Sequence, residues 1–299
     1  MTHLPTLKQL KYLISVVEHK HFGHAARACH VSQSTLSAGI AELEHNLGVI
    51  LIERDQKGVK LLPIGEEISR RAQDIVTASQ DLVESAFAAQ EPFTTELKLG
   101  VIPTVAPFIL PPILDKVRTL HPDYKIYIRE EMSQPLTDAL LNGQLDLLLL
   151  ALPFPAENVH TMHLFDDDFF LAVHQQHRLS GYLQVTIPEV MNEDLLLLED
   201  GHCIRDHALD ACVLNSDELS VPYQATSLNT AIQMVANKMG ITFLPQMAIA
   251  ANLAHGLAVN TIPFKDKRIS RSIGLMWRQN TPRAQEFRAL GEIIASIMN

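Results

Sequence analysis

Between residues 5 and 18 the apolar positions Leu7, Leu10, Tyr12, Leu13, Ile14, Val16 and Val17 recur with polar residues between them, a spacing that predicts a helix. A short, alanine-rich helix follows at 22–29, where small side chains let two helices approach closely. After the turn HVS, residues 33–45 predict a third helix, with Leu36, Ile40, Leu43 and Leu47 on one face at steps of four, three and four. Ser32 starts that helix, and Thr35 lacks the acid or amide that would complete a capping box. Short helix, tight turn, then a helix opening QSTLS is the pattern of a helix-turn-helix.

Past Gly48 the period changes. Two apolar runs in VILIERDQKGVKLLP flank the polar turn DQKG and predict a two-stranded ribbon, or wing. Helical spacing resumes over 65–90 through Ile68, Ala72, Ile75, Leu82, Val83 and Ala86, with no breaker between Pro63 and Pro92. The stripe on this long helix either meets a partner helix or packs on its own domain.

From Thr95 onward strands and helices alternate. Strands are predicted at 97–101, 125–130 and 145–152, then near 168–174, 195–198, 221–224, 240–244 and 272–278. Helices are predicted at 108–120, 134–142 and 283–298. Such alternation argues for open parallel or mixed sheets with helices on their faces. About 200 residues suffice for two lobes with a cleft between them.

Composition changes this picture in one respect. An apolar fraction of 47% with 19% charged residues fits a folded soluble chain of 299 residues. The net charge of −10 argues against nucleic-acid binding on average. The average conceals a division. Residues 1–62 hold seven Lys/Arg, five acids and six histidines, so the positive surplus of two sits at this end. That asymmetry permits a DNA-contacting module on an acidic body. Gln33, Ser34, Thr35 and Ser37 sit where a recognition helix meets base edges, and Arg54, Lys57 and Lys60 on the wing suit phosphates. The chain's start has no signal-peptide pattern, and LDLLLLALPF at 145–154 is too short to span a bilayer and carries Asp146. A cytoplasmic, nucleoid-associated bacterial protein without a membrane partner is expected, whose three cysteines are free thiols.

Two of those thiols stand nine positions apart in LEDGHCIRDHALDAC. Three chemistries are open: a metal site, two inert apolar side chains, or a reactive pair. Cys203 and Cys212 with His202 and His207 supply enough ligands for zinc, but the long step between the cysteines lacks the short spacing of structural zinc sites. If 204–212 is helical, nine residues rise roughly 13 Å and end on opposite faces. A disulfide needs Cα atoms within about 7 Å, so oxidation would require that helix to unfold. Cys203, at the turn GHC with His202 and Arg205 nearby, is placed to favour a thiolate, while Glu199 and Asp200 oppose it. Cys212, between Ala211 and Val213, reads as buried, and Cys29 as core.

The segment FGHAARACHVSQSTLSAGIAELEHNLGVILIER resembles the winged helix-turn-helix of LysR-type transcriptional regulators. The resemblance carries paired alanines, then Val31-Ser32-Gln33, Leu36-Ser37, Leu43-Glu44 and Leu47-Gly48. It covers essentially the whole chain. It implies an α+β and α/β protein with a winged helix-turn-helix at 1–62, a linker and dimerisation helix at 63–92, and a two-lobed periplasmic-binding-protein-like regulatory domain at 93–299. Lobe I would take 93–165 and 269–299, and lobe II 166–268. Within the family, GVIPTVAPFILP, LEDGHCIRDHALDAC and ATSLNT resemble the peroxide-sensing members.

That resemblance implies a regulator rather than an enzyme, with no metal or cofactor. Cys203 would be oxidised by hydrogen peroxide and Cys212 would resolve it as a disulfide. Thr104 and Ser133 would bind the peroxide, His202 and Arg205 would pack around the thiol, and Arg278 would approach the site. Ser133 stands where threonine is usual, and Pro222 and Gln224 replace a histidine and an arginine. The implied partners are double-stranded promoter DNA, three further copies of the chain in a tetramer, RNA polymerase, and glutaredoxin or thioredoxin as reductant. The protein would control antioxidant genes as activator or repressor. Two other readings compete. A metabolite regulator would hold a carboxylate at Thr104, Ser133 and Thr226–Ser227. A thiol peroxidase would not need residues 1–90.

Overall fold

The first helix, α1 (Leu7–His19), is fixed by its opening residues: Gln9 N–H donates to the Thr6 hydroxyl at 3.2 Å, and Thr6 N–H donates to Gln9 Oε1 at 2.8 Å. It packs with α2 (Phe22–Ala28) and α3 (Gln33–Leu47), the latter capped by Ser32 and ended by Gly48 at φ 70°. Leu13, Val16, Ala25, Leu36, Ile40 and Leu43 make their common core. The Leu43-Glu44 step has a physical cause. Leu43 enters the core, while Glu44 Oε1 accepts the Leu51 and Ile52 N–H groups at 2.8 and 3.1 Å and so ties α3 to the wing. The wing is the antiparallel pair β1 (Ile52–Asp55) and β2 (Gly58–Leu61). The computed structural model describes residues 4–55, 58–88, 92–191, 193–201, 204, 207, 221, 223–266 and 269–298.

Gly39 sets the α1–α3 approach. A Cβ there would stand 2.7 Å from the buried Tyr12 ring. Overpacking of about 1–3 kcal/mol outweighs the helix propensity gained, about 1 kcal/mol. We expect Gly39→Ala to speed hydrogen exchange of α1 and α3 amides about 5- to 30-fold, the factor that 1–2 kcal/mol gives. Unchanged exchange would mean that Tyr12 yields without cost.

The long helix α4 (Pro63–Ala88) packs part of its stripe on its own unit. Ala72 and Val76 are buried in the core of this unit, whereas Ile75, Leu82 and Val83 are exposed. The chain divides into two units, Met1–Phe87 and Ala88–Asn299. No helix among the described residues is long and apolar enough to cross a membrane.

The second unit is built on β3 (Leu97–Val101), β4 (Ile126–Glu130) and β5 (Leu147–Leu152), all parallel. β5 is buried on both faces, which explains its unbroken leucine run. Asp146, which immediately precedes that run, accepts the Lys98 N–H at 2.8 Å and faces Arg283 at 3.3 Å. β11 (Ser270–Arg278) adds antiparallel to β5, and β6 (Val159–His174) antiparallel to β11. β6 then continues into a second sheet region between β9 (Thr242–Pro245) and β10 (Val259–Pro263). One strand thus belongs to both lobes, and the lobe boundary expected at 165 falls inside it. The sequence pattern shows only the last seven residues of β6, because VHTMHLFDD mixes polar with apolar positions and is partly exposed. β10 was also missed.

Each lobe has its own apolar core. Lobe I packs α5 (Ala106–Leu120), α6 (Ser133–Leu141) and the closing helix, α10 (Ala284–Met298), on its sheet. Lobe II packs α8 (Leu228–Ala236) and the parallel pair β7 (Leu196–Leu198) and β8 (Tyr223–Ala225). The short helices α7 (Ile187–Val190) and α9 (Gln246–Ala250) complete the described elements.

Candidate functional site

Parallel pairing sets Val101 beside Glu130, so the loops that leave β3 and β4 emerge side by side at the carboxyl edge of the sheet. The first carries Thr104 into α5, and the second opens α6 at Ser133. Both residues are 2% exposed. The Thr104 hydroxyl accepts a hydrogen bond from Arg271 Nη1 at 2.9 Å, and its carbonyl accepts one from Nη2 at 3.0 Å. A hydroxyl has two acceptor positions and one hydrogen, so this leaves the Thr104 O–H to donate. Ser133 Oγ has no hydrogen-bond partner among the described residues. A buried hydroxyl in that state costs about 1–3 kcal/mol unless something meets it.

Arg271 is held in turn by Asp167. The register of β11 on β6 places the two opposite each other, and Nε donates to Asp167 Oδ2 at 3.0 Å. Asp167 Oδ1 accepts the Met247 N–H of α9 at 3.0 Å. The pair is buried, with the Phe169 ring 5.9 Å from the guanidinium carbon. Burial pushes the Asp167 carboxyl above its usual range, while Arg271 and the Met247 N–H pull it back toward the ionised form. A lobe I loop, strands β6 and β11 and a lobe II helix therefore meet at one ion pair.

Gly201, the last described residue before Cys203, lies against the residue that precedes α6. Gly201 adopts φ 95°, and a Cβ on it would lie 2.8 Å from Met132 Sδ, at the residue before Ser133. The positive φ is what favours glycine here. Cys203, Cys212, His202, Arg205 and Pro222 lie outside the described residues. Ile204, next to Cys203, is buried in the lobe II core.

Arg278 is placed differently from the sequence expectation. Its Nη1 donates to the Leu140 and Leu145 carbonyls at 3.0 and 2.8 Å, which puts it at the far end of α6, about 10 Å of helix from Ser133. The guanidinium on Thr104 belongs to Arg271, seven residues earlier on the same strand. Spacing alone could not choose between two arginines in RSIGLMWR. The pairing with Asp167 does. Ser227, offered as a carboxylate ligand, caps α8 by accepting the Thr230 N–H at 3.2 Å.

On the helix-turn-helix, Gln33, Ser34 and Thr35 are exposed at the start of α3, and Ser37 is half-buried. The Ser34 and Thr35 hydroxyls each lie 2.8 Å from Ser32 Oγ, within the capping turn. Arg54 lies on β1, opposite Val59, and Lys57 is outside the described residues. Lys60 is exposed 4.0 Å from Glu53, too open a pair to hold it from a phosphate. The histidine-rich turn has a role that spacing did not reveal: His21 Nδ1 accepts the Gly23 and His24 N–H groups and caps α2. No cluster of three or more metal-ligating side chains occurs among the described residues.

Two family descriptions match the chain: "Bacterial regulatory helix-turn-helix protein, lysR family" over residues 7–66, and "LysR substrate binding domain" over 90–298. "HTH-type transcriptional regulator EstR" of Acinetobacter baylyi is 37% identical, covering 99% of this chain and 98% of that protein. The structure of full-length OxyR from Pseudomonas aeruginosa, with a cysteine-to-aspartate substitution, is 33% identical with a TM-score of 0.78, over 98% of this chain and 95% of that one. A hydrogen peroxide-bound OxyR mutant of Corynebacterium glutamicum is 32% identical with a TM-score of 0.67, over 100% and 94%.

Proposed function

The chain belongs to the LysR family of bacterial helix-turn-helix regulators, closely related to the OxyR-type peroxide sensors, and we propose that it senses hydrogen peroxide through a reversible Cys203–Cys212 disulfide. The observation that carries this reading is the pair of buried hydroxyls at the sheet edge. Thr104 is oriented as a donor by Arg271, Ser133 is unmet, and the turn into Cys203 abuts Met132.

In this reading the Cys203 thiolate attacks one peroxide oxygen, the O–O bond breaks, and the other oxygen leaves as hydroxide and takes a proton. Thr104 and Ser133 position the peroxide and stabilise the charge on the departing oxygen. The Cys212 thiol then attacks the sulfenic sulfur and releases water, giving the disulfide. If the 204–212 segment is helical when reduced, bridging requires it to refold, and that change repacks the regulatory domains. A dithiol reductant, glutaredoxin or thioredoxin, resets the pair.

The output is DNA binding by a dimer of dimers, on promoter half-sites related by symmetry, with consequences for RNA polymerase and antioxidant genes. Gln33, Ser34, Thr35 and Ser37 read bases, and Arg54, Lys57 and Lys60 hold phosphates. The exposed Ile75, Leu82 and Val83 on α4 support pairing between copies.

Peptide mass spectrometry after differential thiol labelling tests the switch on DNA-bound protein given stoichiometric peroxide. A Cys203–Cys212 disulfide formed within seconds, with Cys29 free, is the expected result. Two reduced thiols, under conditions that oxidise a control sensor, would turn the reading toward a metabolite-binding regulator.

A further inference from the structure

We infer that Asp167 determines what the site admits: by neutralising Arg271 it fits the pocket to an uncharged oxidant and closes it to carboxylates and other small anions. The inference rests on the peroxide reading for the identity of the oxidant, but not for the exclusion of anions.

The argument begins with donors. The Arg271 guanidinium, the Thr104 O–H, the Ser133 hydroxyl and the first amides of α6 gather at one carboxyl edge. Backbone N–H groups at a helix start with an arginine beside them are the usual equipment for binding an anion. A regulator with this edge and nothing to oppose its charge would collect carboxylates. Asp167 is what opposes it. Its carboxylate lies 3.0 Å from both Nε and Nη2 of Arg271, and both side chains are nearly sealed from water. In such surroundings charges are screened little, so one full negative charge beside the guanidinium cancels most of its pull on a second anion. Asp168 is the next residue along β6 and adds negative charge. Hydrogen-bonding capacity survives the cancellation, and hydrogen peroxide, a neutral donor and acceptor, needs only that.

Asp167→Asn is the informative change. Asparagine fills the same volume, so an added anion gains no vacated space at residue 167, and its amide oxygen can still accept the Met247 N–H. Full-length wild type and D167N are melted in sodium acetate and in acetamide at matched ionic strength, and their Cys203 oxidation rates are measured in both. We expect D167N to melt below wild type, to be raised selectively by acetate, and to lose at least fivefold in oxidation rate as acetate increases. In wild type, acetate and acetamide should act alike. Acetate that protects wild type as strongly as D167N, or a D167N indifferent to acetate, would overturn the inference. Should D167N fold in neither solution, the wild-type comparison decides: competition by acetate overturns the inference and its absence upholds it. A wild-type Cys203 that peroxide leaves reduced would sink the redox reading alone, because the melting curves judge Asp167 independently.

Discussion

Replacing Arg271 with alanine is expected to lower the stability of the regulatory domain by about 3–5 kcal/mol, the usual cost of stripping one partner from a buried ion pair. The loss has two sources. Asp167 is left as a lone carboxylate at 2% side-chain exposure, and Thr104 loses both donors that fix its loop. The sign of the pH dependence follows from the direction of the Asp167 shift. Its carboxyl is already raised in the folded protein, by burial first, and removing Arg271 takes away the largest opposing influence. The native form then holds its proton to higher pH than the unfolded chain, whose carboxyl titrates near about 3.9. The stability tied to that proton is full below this value and is lost as pH rises through the folded one. The deficit of R271A against wild type should therefore shrink in acid and widen toward neutrality. Trp277, the chain's only tryptophan, lies on β11 and reports the unfolding of this unit. A deficit below about 1 kcal/mol, or one independent of pH, would mean that the pair is less shielded than its geometry implies.

Much of the fold was legible because packing speaks through period. The 4-3-4 steps of Leu36, Ile40, Leu43 and Leu47 mark α3, and Leu36, Ile40 and Leu43 are buried there. The leucine run of β5 marked the centre of a sheet. Where sequence reasoning stopped short, the cause was a contact that period does not encode. β6 passes through both lobes, and its first half turns polar residues outward, so alternation faded before the strand did. The candidate site shows the same limit. The family resemblance implied Thr104 and Ser133, and the structure buries both at adjoining strand ends. The arginine beside them could not be chosen without the register that sets Arg271 against Asp167. Asp167 sits in the run DDD, and nothing in that run marks which of the three carboxylates is buried and paired with an arginine.

Thr104→Val keeps the shape of the side chain and removes the hydroxyl, so it isolates what that hydroxyl does. Two effects are expected, and they separate. Arg271 Nη1 loses its acceptor at 2.9 Å while Nη2 keeps the Thr104 carbonyl, which should cost about 1–3 kcal/mol of stability. Oxidation of Cys203 should slow much further, by about 10²–10³-fold, the loss typical when one preorganised donor to a developing oxyanion is deleted. Thr104→Ser restores the hydroxyl and should recover most of the rate. Ser133→Ala supplies the contrast. Its hydroxyl has no hydrogen-bond partner among the described residues, so its removal should leave stability unchanged or raised while the oxidation rate still falls. Stopped-flow oxidation of the four proteins, each paired with a Trp277 melting curve, distinguishes the cases. If T104V and S133A lost rate only in proportion to lost stability, the hydroxyls would be structural and the peroxide would have to bind elsewhere. A rate loss in S133A without any loss of stability would point to a ligand, because no hydrogen bond among the described residues depends on that hydroxyl.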